Sequence, residues 1–237
     1  MSTTRRSLLG AALAAPLLGW LTGTAAGAAD GGTDLSGSLG TLSDGWVEIR
    51  WTPEAQAQLD RFHALVDVVA PARMVLDEHG PAVHLPIRSA VGDPSLADPP
   101  KARGDGALDG GVCVSTSKGD YRVVNLAGAI RDGLGSGRCE VSGAEMGHRS
   151  AFRCGLTEGT LRADPVPAGQ PVNVRLSGVP LRPTQEAVDA YTANFGAHPV
   201  TVDTVLAYVT AQGTYTPPPA AQEQQAQARP EPRPQSP

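Results

Sequence analysis

The residues best suited to metal binding lie in the stretch LDEHGPAVHLP, which holds Asp77, Glu78, His79 and His84. Imidazole nitrogens and carboxylate oxygens are the usual ligands of zinc and related divalent ions. The stretch also has the pattern of a hairpin, with His79 at the turn and His84 on the strand face opposite the apolar residues. We therefore predict solvated turn residues here and assign no metal ligand.

A second pair that could do chemistry is Glu145 and His148 in the stretch AEMGHRS. A carboxylate beside an imidazole can carry out acid–base catalysis. The chain has no GxSxG, HExxH or Cys–His signature that would supply a nucleophile or a metal. We predict an exposed loop at this position and no catalytic residue.

Two further sets of residues have a chemical and a structural interpretation. Calcium-type carboxylates occur in one long loop, at Asp93, Asp98, Asp105 and Asp109, but their spacing is not that of an EF-hand. Phenol groups that could serve as axial ligands of ferric haem occur at Tyr121, Tyr191, Tyr208 and Tyr215. We predict loop solvation for the carboxylates and core or rim packing for the tyrosines.

The three cysteines are Cys113, Cys139 and Cys154. An odd count in an exported protein indicates one disulfide and one free thiol. Alternation places Cys139 and Cys154 on the apolar faces of two segments that could form a hairpin, whereas Val112 and Val114 take the buried face and turn Cys113 away. We predict a Cys139–Cys154 disulfide, with three buried thiols as the alternative. No CxxC pair indicates a cysteine metal site.

The N-terminus has the layout of an export signal. Arg5 and Arg6 precede an uncharged apolar run of about 14 residues that ends in small residues near Ala28. The run is shorter than the ~20 residues that a membrane-spanning helix needs. Paired arginines resemble the twin-arginine signal, so we predict a signal peptide over residues 1–28, a secreted or cell-surface location, and no transmembrane anchor in the mature form.

The mature chain is acidic. Loss of residues 1–28 removes two arginines, which takes the formal net charge from −5 to −7. An acidic chain has no electrostatic attraction for nucleic acid or for an anionic membrane, so neither is predicted as a partner.

Strand-type alternation dominates the middle of the chain. It predicts one mainly β domain over residues 46–216, a sandwich or open barrel of antiparallel strands with two short helices. Helix starts are indicated after Thr52 and after Thr184, where similar IRWTPEA and LRPTQEA segments place a capping threonine. Pro86 predicts a strand end or sheet edge, and a phase change at Gly178 predicts a bulge. Strands are expected at 46–51, 72–76, 82–88, 112–116, 121–126, 138–142, 151–156, 172–181 and 200–209.

The segments at either side of this domain are polar. Residues 29–45 are small and polar, which predicts a flexible lead-in. Residues 217–237 are rich in proline and glutamine and hold no large apolar side chain, which predicts a disordered tail.

Three segments carry a resemblance to a known family: WVEIRWTPEAQAQLDRF, VHLPIRSAVGDPSLADPPKARGDGALDGGVCV and VPLRPTQEAVDAYTANFG. Their order, over about residues 46–205, resembles that of exported actinobacterial β-rich domains of the haem-associated HtaA type. The resemblance implies haem as a ligand. The family has a histidine in the glycine-rich entry to its middle sheet, where this chain reads GDGALDGGVCV, so no ligand residue is carried over.

The sequence therefore predicts an exported, non-enzymatic ligand-binding or surface-interaction module. Its ligand and any cofactor are unknown, and a small molecule or the cell wall is the expected kind of partner. The alternatives are haem or metal binding at the cell surface and an unrecognised extracellular hydrolase.

Overall fold

The computed structural model describes residues 39–92, 104–117, 119–129, 133–167, 170–189 and 200–218. Helix α1 spans Pro53–Arg61, and twelve strands account for most of the remaining elements. The strands are β1 Gly40–Trp51, β2 Leu65–Val69, β3 Arg73–Asp77, β4 Gly80–Gly92, β5 Gly104–Leu108, β6 Gly111–Thr116, β7 Gly119–Ala129, β8 Leu134–Val141, β9 Ala144–Cys154, β10 Thr160–Ala163, β11 Val172–Pro183 and β12 Ala207–Thr216.

Eight of these strands close into an antiparallel barrel. Around the barrel the order is β1, β4, β5, β7, β8, β9, β11 and β12, and β12 pairs again with β1. The closing contact is between β7 and β8, which pair from Tyr121 with Val141 to Ala129 with Leu134. The mainly β, antiparallel class predicted from the sequence is confirmed, and the sandwich or open barrel is corrected to a closed barrel with additional strands.

The additional strands extend the sheet beside the barrel. Strand β6 continues from β5 along the same edge of β7, and β2 pairs with β6. Strand β3 forms the predicted hairpin with β4, and β10 pairs with β11.

Pro86 lies inside a barrel strand and not at the sheet edge that the sequence predicted. On one side of β4 the neighbour is β3 up to His84 and β5 from Ile87 onward. Pro86 falls at this change of partner, where its carbonyl accepts a hydrogen bond from the Asp109 backbone N–H at 2.9 Å. The missing N–H of proline is tolerated there because it faces the same gap in the ladder.

Alternation along the strands divides the barrel into an inner and an outer surface. On β1, Val47 and Ile49 line the interior, whereas Glu48 and Arg50 make polar contacts outside. The bulge predicted at Gly178 is confirmed, because the pairing of β11 with β12 shifts between Leu176 and Val179.

Helix α1 packs against the barrel end where β1 finishes and β12 starts. Thr52 caps it, since its hydroxyl accepts the Ala55 N–H at 3.2 Å and donates to the Val205 carbonyl at 3.0 Å. Ala55 and Leu59 join the buried core. Residues 185–189 are also helical, and Thr184 caps them in the same way, with its hydroxyl accepting the Ala187 N–H at 3.1 Å. No helix among the described residues is long and apolar enough to cross a membrane.

Several strand boundaries differ from the sequence-based expectation. Strand β1 begins at Gly40, inside the polar segment 29–45. Strand β5 lies within the predicted long loop, and the last strand covers Ala207–Thr216 instead of 200–209. The export signal, residues 1–28, and most of the predicted tail lie outside the described residues.

Candidate functional site: an apolar cavity in the barrel

The interior of the barrel holds a cavity of about 310 Å³. Its wall is formed almost wholly by aliphatic and aromatic side chains and by glycine, including Leu42, Val47, Ile87, Leu126, Phe152 and Leu176. Ligand sites in proteins typically span ~300–1,000 Å³ and are mainly apolar. The cavity is therefore large enough for a small organic molecule.

The cavity extends to the barrel end opposite α1. It reaches Leu42 near the start of β1, Gly92 at the end of β4 and Tyr215 near the end of β12. Val91 and Leu134 line the same space and are each 37% exposed, so part of the apolar lining faces solvent. Among the described lining residues, Asp105, which pairs with Val91, is the only acidic or basic one.

Two tyrosines contribute to the cavity wall. Tyr121 is buried, and its burial raises the pKa of the phenol. Tyr215 is also buried and donates a hydrogen bond from its hydroxyl to the Gly92 carbonyl at 3.3 Å. Its ring lies directly against Gly40, where a Cβ atom would overlap it. Both tyrosines pack in the core or at its rim, as the sequence predicted.

Cys154 is a free thiol in the same wall. Burial raises its pKa from 9.0 to about 11, so it is protonated at neutral pH. Its neighbours on the predicted apolar face, Phe152 and Leu156, also line the cavity. Sequence alternation therefore identified this part of the wall correctly.

The predicted Cys139–Cys154 disulfide is wrong, because all three cysteines are free. Strands β8 and β9 do form the expected hairpin, but Cys139 pairs with Gly147 whereas the Cys154 N–H bonds to the Gly133 carbonyl. Cys154 therefore lies seven positions along β9 from the partner of Cys139, a separation of roughly 20 Å at ~3.3 Å per residue. A disulfide needs Cα atoms within ~7 Å.

The structure places Asp77 and His84 on the outer surface, at the two ends of a network in which Arg50 binds both Asp77 and Glu48, and Glu48 contacts His84. Arg50 binds the Asp77 carboxylate through two hydrogen bonds of 2.7 and 2.8 Å, and this bonding lowers the pKa of Asp77. The His84 ring stacks on Trp46 with centroids 4.5 Å apart, and its Nε2 lies 2.7 Å from Glu48 Oε2. Each group thus has a structural partner.

Glu78 and His79 lie exposed in the turn between β3 and β4, which agrees with the predicted solvated turn. Their side chains are 3.6 Å apart. Across the described residues, no group of three or more histidine, cysteine, aspartate or glutamate side chains is placed to hold a metal ion.

Glu145 and His148 lie on strand β9, not in the loop that the sequence predicted. Glu145 forms an ion pair with Arg138 at 3.1 Å. His148 Nε2 lies 2.8 Å from the Ser136 hydroxyl. The carboxylate and the imidazole therefore engage different partners on β8 and form no acid–base pair.

The remaining candidates lie apart from one another. Asp105 is at the cavity rim, and Asp109 forms an ion pair with Arg88 at 3.6 Å. Tyr208 is 49% exposed on β12. Asp93, Asp98 and Tyr191 lie outside the described residues.

The structures that resemble this fold include two from Corynebacterium glutamicum. The C-terminal domain of HtaA matches with a TM-score of 0.45 and 16% identity, over 75% of this chain and 99% of that chain. The haem-binding protein HtaB matches with a TM-score of 0.38 and 11% identity, over 75% of this chain and 94% of that chain. The resemblance to HtaA-type domains seen in the sequence is confirmed, but TM-scores below 0.5 do not decide the ligand. No family model and no curated protein matches the chain.

Proposed function

We propose that this chain is a non-enzymatic binding module that holds a small apolar molecule inside its barrel. The observation that carries the proposal is the open cavity of about 310 Å³ in an apolar interior. Unfilled core volume destabilises a protein by ~24 cal/mol per Å³, so this space corresponds to at most ~7 kcal/mol of packing that larger side chains would recover. A bound ligand supplies that missing packing.

A catalytic role has less support. Acid–base catalysis needs a carboxylate or imidazole held close to a reacting group. Of the described residues that line the cavity, the only acidic or basic one is Asp105 at the rim, and the Cys154 thiol, with a pKa raised to about 11, is protonated at neutral pH. The candidate hydrolase residues Glu145 and His148 are engaged separately on the outside of β9.

The proposal is tested by filling the cavity from one strand. Ala211 lines the cavity opposite Val47, whereas its neighbour Thr210 is not part of the wall and pairs with the outward Glu48. We expect Ala211→Phe to weaken binding of the fluorescent apolar probe N-phenyl-1-naphthylamine by at least ~10-fold, because the ring occupies the ligand's volume. Thr210→Phe should leave binding unchanged.

Both variants are first shown to be folded by thermal melting. Equal probe affinity in the two variants would place the binding site elsewhere. Absence of any saturable probe binding to the wild-type chain would contradict the proposal itself.

Haem is the alternative ligand, because HtaB is named as a haem-binding protein. The cavity wall offers no side chain well suited to bind the haem iron as an axial ligand. Among the described lining residues there is no histidine, the Tyr215 hydroxyl bonds to Gly92, and burial of Tyr121 disfavours its phenolate. Titration with haem tests this alternative. If haem gives a saturable Soret band that Tyr121→Phe or Tyr215→Phe abolishes, haem binding would take the place of the apolar-ligand proposal.

We also propose that the module acts outside the cytoplasm, at the cell surface or in the medium. The support is the paired Arg5 and Arg6 before a short apolar run. In the native host, changing both arginines to lysine should retain the precursor in the cytoplasm, as measured by cell fractionation. Normal export of the double variant would refute twin-arginine export.

A further inference from the structure

Three glycines stand side by side on the inner surface of the barrel. Gly106 on β5 pairs with Gly128 on β7, which in turn pairs with Gly135 on β8. The row continues to Ala90 on β4 at one end and to Phe152 on β9 at the other. All five residues line the cavity. We call Gly106, Gly128 and Gly135 the glycine wall.

The backbone does not require glycine at these positions. None of the three has a positive φ. A Cβ atom at Gly106 would lie 3.7 Å from the Ala90 Cβ, and one at Gly135 would lie 3.8 Å from the Phe152 Cβ. These are ordinary van der Waals distances, so alanine fits at both. Gly128 is tighter, at 3.2 Å from the Leu134 carbonyl oxygen.

Bulges do not account for the glycines either. The pairing of β4 with β5 shifts between Ile87 and Ser89, so the extra residue belongs to β4. The pairing of β8 with β9 shifts where Ser136 faces Ser150, so the extra residue belongs to β9. The pairing of β7 with β8 shifts between Val124 and Ala127, so the extra residue belongs to β7. Two of these bulges thus lie beside Gly128 and Gly135, but none of the extra residues is a glycine of the wall.

Glycine inside a strand weakens the strand, and its usual reasons are a bulge, a tight bend or the close approach of a ligand or another backbone. Apart from chain neighbours, the only side-chain atoms of the described residues within 4 Å of a Cβ placed on these glycines are the Ala90 Cβ, the Phe152 Cβ and the Cys154 Sγ, so the wall is nearly bare. Because all three glycines line the cavity, the reason that the structure supports is a ligand that lies directly on the peptide planes.

We propose that the glycine wall selects a flat apolar ligand of two or three fused rings. The inference rests on the proposed function and adds the shape of the ligand to it. Bare peptide planes on three adjacent strands form a surface without protruding side chains, which a flat ring contacts over its whole face. A globular molecule touches such a surface at one point, and a flexible chain loses conformational entropy when it is ordered there.

The test compares three alcohols that share ten carbons and one hydroxyl but differ in shape: flat 2-naphthol, globular 1-adamantanol and flexible 1-decanol. Each is titrated into the full chain by calorimetry or by displacement of N-phenyl-1-naphthylamine. We expect 2-naphthol to bind at least ~10-fold more tightly than either of the others. Binding of all three with equal affinity would overturn the selection by shape.

The variant that tests the wall is Gly106→Ala/Gly135→Ala, which adds two methyl groups to the flat surface. We expect its affinity for 2-naphthol to fall by ~10-fold or more, because each methyl group stands where the ring would lie. Its melting temperature should stay the same or rise, since replacing glycine with alanine restricts the unfolded chain. Ala107→Val, a change beside Gly106 but not in the cavity wall, is the control.

The two hypotheses fail differently. If the wild-type chain binds neither the probe nor any of the alcohols, the proposed function is refuted. If the wild-type chain binds but the double alanine variant keeps its affinity for 2-naphthol, only the glycine wall is refuted. A large fall in the melting temperature of the double variant would show a structural role for the glycines and would also overturn the inference.

Discussion

Cys154 allows the cavity to be tested through the reactivity of one thiol. The thiolate is the nucleophile, and burial raises the Cys154 pKa from 9.0 to about 11, which lowers the thiolate fraction at pH ~8 by about 100-fold. A more basic thiolate is intrinsically more reactive. With a Brønsted coefficient of ~0.4–0.5, this rise in pKa makes the thiolate itself about 8-fold more reactive, which offsets part of the loss. We therefore expect Cys154 in the folded protein to react ~10-fold more slowly than in the unfolded chain, before any steric protection.

The assay uses Cys113→Ser/Cys139→Ala, in which Cys154 is the only thiol, with iodoacetamide and intact-mass detection. The rate should keep rising with pH up to about 11, because that is where the buried thiol ionises. Saturating N-phenyl-1-naphthylamine should slow labelling further. Equal labelling rates in the folded and unfolded chains would refute the buried position of Cys154. A labelling rate that the probe leaves unchanged would show that the probe binds outside the cavity. The wild-type chain, denatured without reductant, should take up three labels.

Two further predictions concern stability. Leu85 is fully buried in the core, so Leu85→Ala should lower the free energy of unfolding by ~2–5 kcal/mol in urea denaturation, whereas Leu76→Ala, at a site 61% exposed, should change it by less than ~0.5 kcal/mol; similar losses would contradict the assigned core. The hydrogen bonds from Arg50 lower the pKa of Asp77 below its ordinary 3.8, so this pair stabilises the fold above that pH and the stabilisation is lost as the pH falls through the lower, folded value. Asp77→Asn should remove this part of the pH dependence of the melting temperature, and an unchanged profile would show that the pair does not contribute.

Local patterns in the sequence predicted local structure well. The alternation of WVEIRW is part of β1, and Thr52 and Thr184 cap helices as expected. Val112 and Val114 are buried whereas Cys113 is half-buried, which confirms the predicted faces of β6. Each of these features depends on a few neighbouring residues, so a short stretch of sequence contains the information.

Closure of the barrel could not be predicted in this way. It depends on β7 pairing with β8 on one edge and with β5 and β6 on the other, and no single segment specifies all of these partners. The same limit explains the wrong disulfide. Alternation placed Cys139 and Cys154 on inward faces, which the structure confirms, but alternation does not specify position along the strand.

The candidate site combines these two limits. Glycine-rich sequence around Gly106 favours a loop assignment, because glycine is depleted in strands and enriched in turns. The residues of the glycine wall are also separated by 22 and 7 positions in the chain, so only the register of β5, β7 and β8 brings them together. A surface defined by missing side chains has no catalytic or metal-binding motif to recognise. Once the strand register is known, the glycine wall can be recognised from glycines at inward strand positions where alanine would fit.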